Sequence, residues 1–254
     1  MKKIRIIPRL DIKGSNVVKG IHCEGLRIVG NPKDLACKYY KEGADELLCM
    51  DVVASLYQRN LDFNLLKSFS DGIFVPITVG GGIRSTNDIN SALRAGADKV
   101  AINTYAIKNP QFLNEAVKKF GSQCIVLSIE AKKRPDGGWE AYTDGGREKT
   151  GIDAVQWSKK AIKLGVGEII LTSIDHDGIR KGYDIELISA ISSFSPVPLI
   201  VHGGADSPDS FLDVLKKCRP EGLSAASVFH YGDFSIKDIK KHLFNKGFPI
   251  RYEL

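Results

Sequence analysis

The sequence predicts a (βα)8 TIM barrel, and three observations carry that prediction. The first is size: 254 residues match the roughly 250 that eight strand–helix units need. The second is alternation, in which short β-branched apolar runs are followed, eight times over, by longer stretches of helical spacing. The third is internal self-similarity. VPITVGGGIRS (75–85) resembles VPLIVHGGADS (197–207) at an offset of 122 residues, and GADELLCMDV (43–52) resembles GVGEIILTSI (165–174) at the same offset. IPRLDIK (7–13) resembles VLSIEAK (126–132) at an offset of 119. Two half-barrels of four units each, about 1–122 and 123–254, explain these offsets. No linker or composition shift separates them, so one domain is expected over 1–254. An open doubly wound sheet would place GxGxxG after the first strand, where this chain reads DIKGSN.

The strands are expected at Ile4–Leu10, Leu47–Val52, Pro76–Val79, Lys99–Ile102, Cys124–Ile129, Glu168–Thr172, Pro198–Val201 and Leu223–Ala226. Several are continuous apolar runs, as parallel strands buried on both faces require. Asn31-Pro32 opens a helix with Leu35, Ala36 and Tyr39 on one face, closed by Gly43. Asn109-Pro110 opens another, with Leu113, Val117 and Phe120 inward and Gly121 after it; Ser207-Pro208 opens a third, with Phe211, Leu212 and Leu215. A polar cap, proline in the first turn and glycine past the end each answer the unpaired backbone groups of helix termini. Weaker signals mark helices at Asn60–Phe69, Thr86–Leu93, Ile152–Leu164, Tyr183–Ile191 and Ser235–Phe244.

Composition excludes several classes. With 43% hydrophobic and 26% charged residues, the chain is neither disordered nor, lacking an apolar run near 20 residues, membrane-spanning. The N-terminal apolar stretch is broken by Pro8 and Arg9, which does not suit a secretory signal, and a cytoplasmic protein is expected. Five scattered cysteines (Cys23, Cys37, Cys49, Cys124, Cys218) form no CxxC pair, so reduced thiols are expected rather than disulfides or a thiolate metal site. The net charge of +6 suits anionic ligands but equally suits lysines solvating outer helices. Without basic runs interleaved with aromatics, nucleic acid is not an expected partner.

Working residues of such a barrel lie at the C-terminal ends of its strands. Gly81-Gly82 and Gly203-Gly204 follow the third and seventh strands, and Asn103-Thr104 and Ala226-Ser227 end the fourth and eighth. Glycines there let backbone N–H groups approach an anion closely. The symmetric pair predicts two phosphate sites on opposite sides of the mouth, although a tight turn without ligand would need the same residues. Asp11 and Glu130 occupy the same place in the two halves. Opposed carboxylates make an acid and a base if their environments separate their pKa values; the alternative is a salt bridge to Lys13, Lys19 or Lys132. Asp51 and Asp177 are candidates to hold Lys19 or substrate hydroxyls, and Thr172 and His202 complete the expected substrate contacts. His176 and His202 lack metal-ligand spacing, and neither a metal nor a cofactor is expected. His22 and His230 carry no further pattern.

At these residues the chain resembles the cyclase subunit family of imidazole glycerol phosphate synthase. The resemblance rests on LDIKGSNVVKG (10–20), VGGGIRS (79–85), GADKVAINT (96–104), FGSQ (120–123), LTSIDHDG (171–178), GYD (182–184) and AASVFH (225–230). It implies an ammonia-dependent cyclisation. A bis-phosphorylated ribulosyl-formimino aminoimidazole carboxamide ribonucleotide becomes imidazole glycerol phosphate and an aminoimidazole carboxamide ribonucleotide. It also implies Asp11 as a catalytic aspartate, with Gly82, Asn103, Thr104, Asp177, Gly178, Gly204 and Ser227 in phosphate loops. Ammonia is expected from a glutaminase subunit docked as a heterodimer at the N-terminal face. Its entry would be a charge ring, matched by Arg5, Glu46, Lys99 and Glu168.

The departures from that family pattern cluster near the chemistry. Its second catalytic aspartate is Glu130 here, longer by one methylene, and a shift of about 1 Å can cost two orders of magnitude in rate. His202 stands where a small hydroxyl residue is usual. Arg9 replaces a small residue before Asp11, whose pKa it would lower if it reached the carboxyl, and strand alternation is a way for it to point elsewhere. The approach to the eighth strand around Arg219 is also unusual. Two alternatives follow: a cyclase-like subunit that forms an amidino group on a nucleotide-linked sugar for surface polysaccharide, and a non-catalytic scaffold that stimulates a glutaminase.

Overall fold

A computed structural model describes residues 3–252. In chain order its elements are β1 (Arg5–Lys13), β2 (Asn16–Ile21), β3 (Glu24–Gly30), α1 (Pro32–Lys41), β4 (Leu47–Asp51), α2 (Phe63–Ser70), β5 (Ile77–Gly80), α3 (Thr86–Arg94), β6 (Lys99–Ile102), α4 (Thr104–Lys108) and α5 (Gln111–Phe120). A 3₁₀ turn at Ser122–Cys124 leads into the second series: β7 (Ile125–Lys133), β8 (Trp139–Thr143), β9 (Glu148–Asp153), α6 (Ala154–Lys163), β10 (Glu168–Ser173), α7 (Ile185–Ser192), β11 (Leu199–His202), α8 (Pro208–Lys217), β12 (Gly222–Ala225), α9 (Ser227–His230) and α10 (Ile236–Asn245).

Eight parallel strands close the barrel in the order β1, β4, β5, β6, β7, β10, β11, β12, and β12 returns to β1 through the register Arg5↔Gly222 to Pro8↔Ala225. The outer faces of the strands pack on the helices, where Ile6, Leu10 and Ile12 join Tyr39, Phe69, Trp157, Phe211 and Phe229 in the main core. The barrel interior holds a second apolar cluster of Ile7, Leu48, Met50, Ala101, Val126, Ile170 and Ile200. Alternation along β1 therefore sends residues 5, 7, 9 and 11 to the axis and residues 6, 10 and 12 to the helices.

The helix starts follow the capping chemistry. Asn31 accepts hydrogen bonds from the Lys33 and Asp34 amides, with Pro32 in the first turn. At the start of α8, Ser210 Oγ accepts from the Ser207 amide at 3.4 Å and donates to the Ser207 carbonyl at 2.7 Å. The Asn109-Pro110 start behaves differently: α4 runs to Lys108, the Asn109 amide donates back to the Tyr105 carbonyl, and α5 is capped by no side chain, the Asn109 carbonyl accepting from the Phe112 amide instead. In α5, Phe112, Leu113 and Ala116 are the buried face, while Val117 and Phe120, expected inward, are only half-buried.

Two antiparallel hairpins, β2–β3 and β8–β9, are not evident from the pattern. β3 is largely exposed, so it shows no apolar alternation to read. Each hairpin extends the barrel strand before it: β1 pairs β2 through Asp11↔Val18 and Lys13↔Asn16, and β7 pairs β8 through Glu130↔Tyr142 and Lys133↔Trp139. Asp11 and Glu130 consequently lie within strands rather than at their ends, held on rigid backbone at equivalent points of the two halves. No helix among the described residues is long and apolar enough to cross a membrane.

Candidate active site

At the N-terminal face, the four expected gate residues form a closed ring. Arg5 pairs with Glu46 at 2.6 Å and with Glu168, and Lys99 pairs with Glu46 at 2.8 Å and Glu168 at 2.7 Å. Thr78 donates a further hydrogen bond to Glu46 at 2.6 Å. All five residues come from the starts of barrel strands, below the apolar interior layer. Two cations and two carboxylates with every charge paired is the arrangement that makes burial tolerable.

At the opposite end, Arg9 shares the parity of Asp11, so alternation points both inward rather than apart. Arg9 Nε donates to Asp11 Oδ1 at 2.7 Å, and its Nη1 donates to Thr172 Oγ1 at 3.0 Å. Lys19, from β2, bonds both Asp177 oxygens at 2.7 Å and stands 4.0 Å from Asp11 Oδ2. Its partner is thus Asp177, not Asp51. Asp51 is instead held by a two-pronged pair with Arg59 at 2.6 and 3.0 Å. His202 Nδ1 lies 3.1 Å from Ser224 Oγ, and its Nε2 is 3.5 Å from Asp177 Oδ1. Glu130 makes no lysine bridge; it accepts a hydrogen bond from Asn103 Nδ2 at 2.9 Å. Asn103 spends its other amide proton on the Tyr142 carbonyl at 3.0 Å, so its side chain positions Glu130 and leaves only backbone for an anion.

These surroundings drive the two carboxylates apart. Burial alone would raise Asp11, but the charges of Arg9 and Lys19 outweigh it and hold the carboxyl below its ordinary value. Glu130 is raised, chiefly by burial and then by the negative charge of Asp11, with Arg9 only partly offsetting them. Asp177 is buried too, yet the adjacent His202 imidazole and the Lys19 charge keep it well below the carboxylate range. His202 is lowered by burial and by Arg9, and His230 is lowered to about 4, mainly by burial. Two carboxyl groups shifted in opposite directions across one mouth is the separation that a base and an acid need.

The two expected phosphate loops are equivalent in position but unequal in space. Gly81, Gly82, Asn103 and Thr104 border a cavity of about 480 Å³, whose wall also includes Arg9, Ser128 and Glu130. Gly178, Gly203, Gly204, Ala226 and Ser227, with Lys19 and Asp177, enclose only about 10 Å³. Gly82 has φ +72°, and a Cβ there would fall 2.1 Å from the Arg59 carbonyl oxygen; the turn alone demands glycine, whatever it binds. Two polar atoms near the larger cavity, Ser128 Oγ and Asn103 Oδ1, are buried without a partner. Ser128 and the inward reach of Arg9 are absent from the expected site. The signal for both was present: at the offset of 119 they are each other's counterparts, two residues before Glu130 and Asp11. Among the described residues, no group of three His, Cys, Asp or Glu side chains is gathered to hold a metal ion, and His22 and His176 bond the Ile174 and Gly182 carbonyls.

Residues 5–235 match the family described as "Histidine biosynthesis protein". Relatives named imidazole glycerol phosphate synthase subunit HisF include that of Legionella pneumophila, 54% identical over 83% of this chain and 100% of its own length. The Streptococcus mutans protein of that name is 45% identical over 99% of this chain and 100% of its own. That of Dehalococcoides mccartyi is 47% identical over 98% of each. With a barrel closed on eight parallel strands and a mouth carrying paired carboxylates, the chain belongs to the histidine-biosynthesis protein family, as a cyclase subunit of imidazole glycerol phosphate synthase.

Proposed function

We infer that this chain cyclises a bis-phosphorylated ribulosyl-formimino aminoimidazole carboxamide ribonucleotide with ammonia, giving imidazole glycerol phosphate and an aminoimidazole carboxamide ribonucleotide. The observation that carries this reading is the Asp11–Glu130 pair, two strand-borne carboxylates at equivalent points of one mouth, tuned in opposite directions. Ammonia adds to the ribulosyl ketone carbon, whose oxygen leaves as water; the new nitrogen then closes on the formimino carbon, and the bond from that carbon to the aminoimidazole nitrogen breaks. Asp11 takes the protons shed by the ammonia nitrogen and the sugar carbon, and Glu130 supplies those taken up by the departing oxygen and aminoimidazole nitrogen, each carboxyl regaining its starting state by exchange with solvent. The loops at Gly81-Gly82 and Gly203-Gly204 hold the two phosphates through backbone N–H groups, the second site opening from its present small volume. Lys19, Asp51, Thr172 and His202 surround the ribulosyl portion. Ammonia enters through Arg5, Glu46, Lys99 and Glu168 from a glutaminase subunit bound to the N-terminal face as a heterodimer.

The test supplies purified chain with the ribulosyl-formimino substrate and an ammonium salt at alkaline pH, which bypasses the glutaminase. Both products are expected from the wild type, with Glu130→Asp slower by about 10²-fold because the carboxyl is withdrawn by about 1 Å. An inactive wild type that Glu130→Asp rescues would overturn the substrate assignment and point to an amidine-forming reaction on a nucleotide-linked sugar. Failure of both would leave a glutaminase-stimulating scaffold.

A further inference from the structure

We propose that Arg9 is the positioning residue that assigns the roles in the mouth, its guanidinium holding Asp11 as the base and leaving Glu130 as the acid. The proposal rests on the acid–base reading above and adds the group that enforces it. Arg9 is only 3% exposed. It grips Asp11 from below and Thr172 of β10 from the side, and it borders both the large cavity and the small pocket that holds Asp11, Glu130 and Asp177. The counterpart residue in the other half is Ser128, so the cation is present beside one carboxylate and missing beside the other.

Charge balance sets the direction of the effect. The ionisable groups facing Asp11 are Arg9 on β1, Lys19 on β2, Cys23 in the following turn, Glu130 on β7, Asp177 after β10, His202 on β11 and His230 at the end of α9. Burial keeps Cys23 a thiol and both histidines neutral. Three carboxyl groups then face two cations. A buried cluster resists net charge, so one carboxyl keeps its proton. Asp177 has both oxygens on Lys19 and Asp11 has Arg9, which leaves Glu130. Replacing Arg9 by a neutral residue removes one cation. The cluster must then take up a second proton, and Asp11, stripped of the partner that held its carboxylate, is where it goes. Asp11 protonated is no longer a base.

The experiment is a carboxyl-¹³C NMR titration of Asp- and Glu-labelled protein, assigned with Asp11→Asn and Glu130→Gln, for wild type, Arg9→Met, Arg9→Gln and Arg9→Lys. Expected in the wild type is Asp11 titrating below its ordinary value of about 3.9 and Glu130 above its ordinary value of about 4.3. In Arg9→Met the Asp11 midpoint moves upward, and ammonium-driven kcat near neutral pH falls about 10²-fold, recovering as pH rises. Arg9→Lys, which keeps the charge, keeps the wild-type order of titration. A wild-type Asp11 titrating at or above Glu130 would overturn the proposal, as would an unmoved Asp11 in a folded Arg9→Met. Should Arg9→Met not fold, Arg9→Gln, neutral but still a donor to Asp11, takes its place: an upward Asp11 midpoint supports the proposal and an unmoved one overturns it. The titration needs no substrate. Expected midpoints with no cyclase turnover would therefore discard the substrate assignment and retain the role of Arg9.

Discussion

Asp11 and Glu130 are both carboxylic acids on strands of one barrel, and what distinguishes them is the residue two positions earlier: arginine in one half, serine in the other. Asp11→Asn is predicted to lower ammonium-driven kcat by about 10²- to 10⁴-fold, the range for losing a general base; a variant retaining wild-type kcat would remove Asp11 from the chemistry. Glu130 offers a stability measurement. Its folded pKa is raised, so the folded chain binds the proton more tightly than the unfolded chain, and stability falls as pH rises from the ordinary glutamate value through the folded one. Glu130→Gln has no such dependence. Relative to the wild type, it is predicted to gain stability steadily as urea denaturation is moved from acid to neutral pH. Asp11 and Asp177 act in the opposite sense: their depressed values contribute stability that is present above the ordinary Asp pKa and lost as pH falls toward the folded values.

At the scale of elements, the barrel strands were legible because buried parallel strands are short apolar runs, and β6 falls at Lys99–Ile102 as expected. The hairpins were not legible, since β3 faces solvent on most of its length and its pairing rests on backbone bonds that composition does not report. α4 and α9 are too short to show a helical period. The hairpins matter for function because β2 delivers Lys19 to Asp177 and β8 brings the Tyr142 carbonyl to Asn103. At the loop after β5, Gly82→Ala is predicted to cost about 1–3 kcal/mol in chemical denaturation, from the left-handed backbone and the clash with the Arg59 carbonyl. At the barrel base, Lys99→Met leaves Glu46 and Glu168 sharing Arg5 alone. Breaking a buried ion network in this way is predicted to cost about 3–5 kcal/mol by the same measurement, with glutamine-driven turnover falling more than ammonium-driven turnover.

For the whole molecule, the half-chain offsets made the closed barrel and the equivalence of Asp11 with Glu130 readable from residues alone. They did not make the inequality of the halves readable, because that comes from side-chain reach. Arg9 crosses to Thr172 on β10 and Asn103 turns to Glu130 on β7, distances that strand spacing does not encode. The repeat thus supplies two equivalent frames, and a few unmatched side chains make them unequal, with about 480 Å³ of open space beside the Gly81-Gly82 loop and about 10 Å³ beside the Gly203-Gly204 loop. The central claim is that this mouth joins ammonia to a bis-phosphorylated ribulosyl substrate. Its most direct test is mass spectrometry of the products formed by the wild-type chain from that substrate and ¹⁵N-ammonium. The prediction is one ¹⁵N atom in the ring of imidazole glycerol phosphate and none in the aminoimidazole carboxamide ribonucleotide. Unconsumed substrate, or imidazole glycerol phosphate without the label, would contradict it.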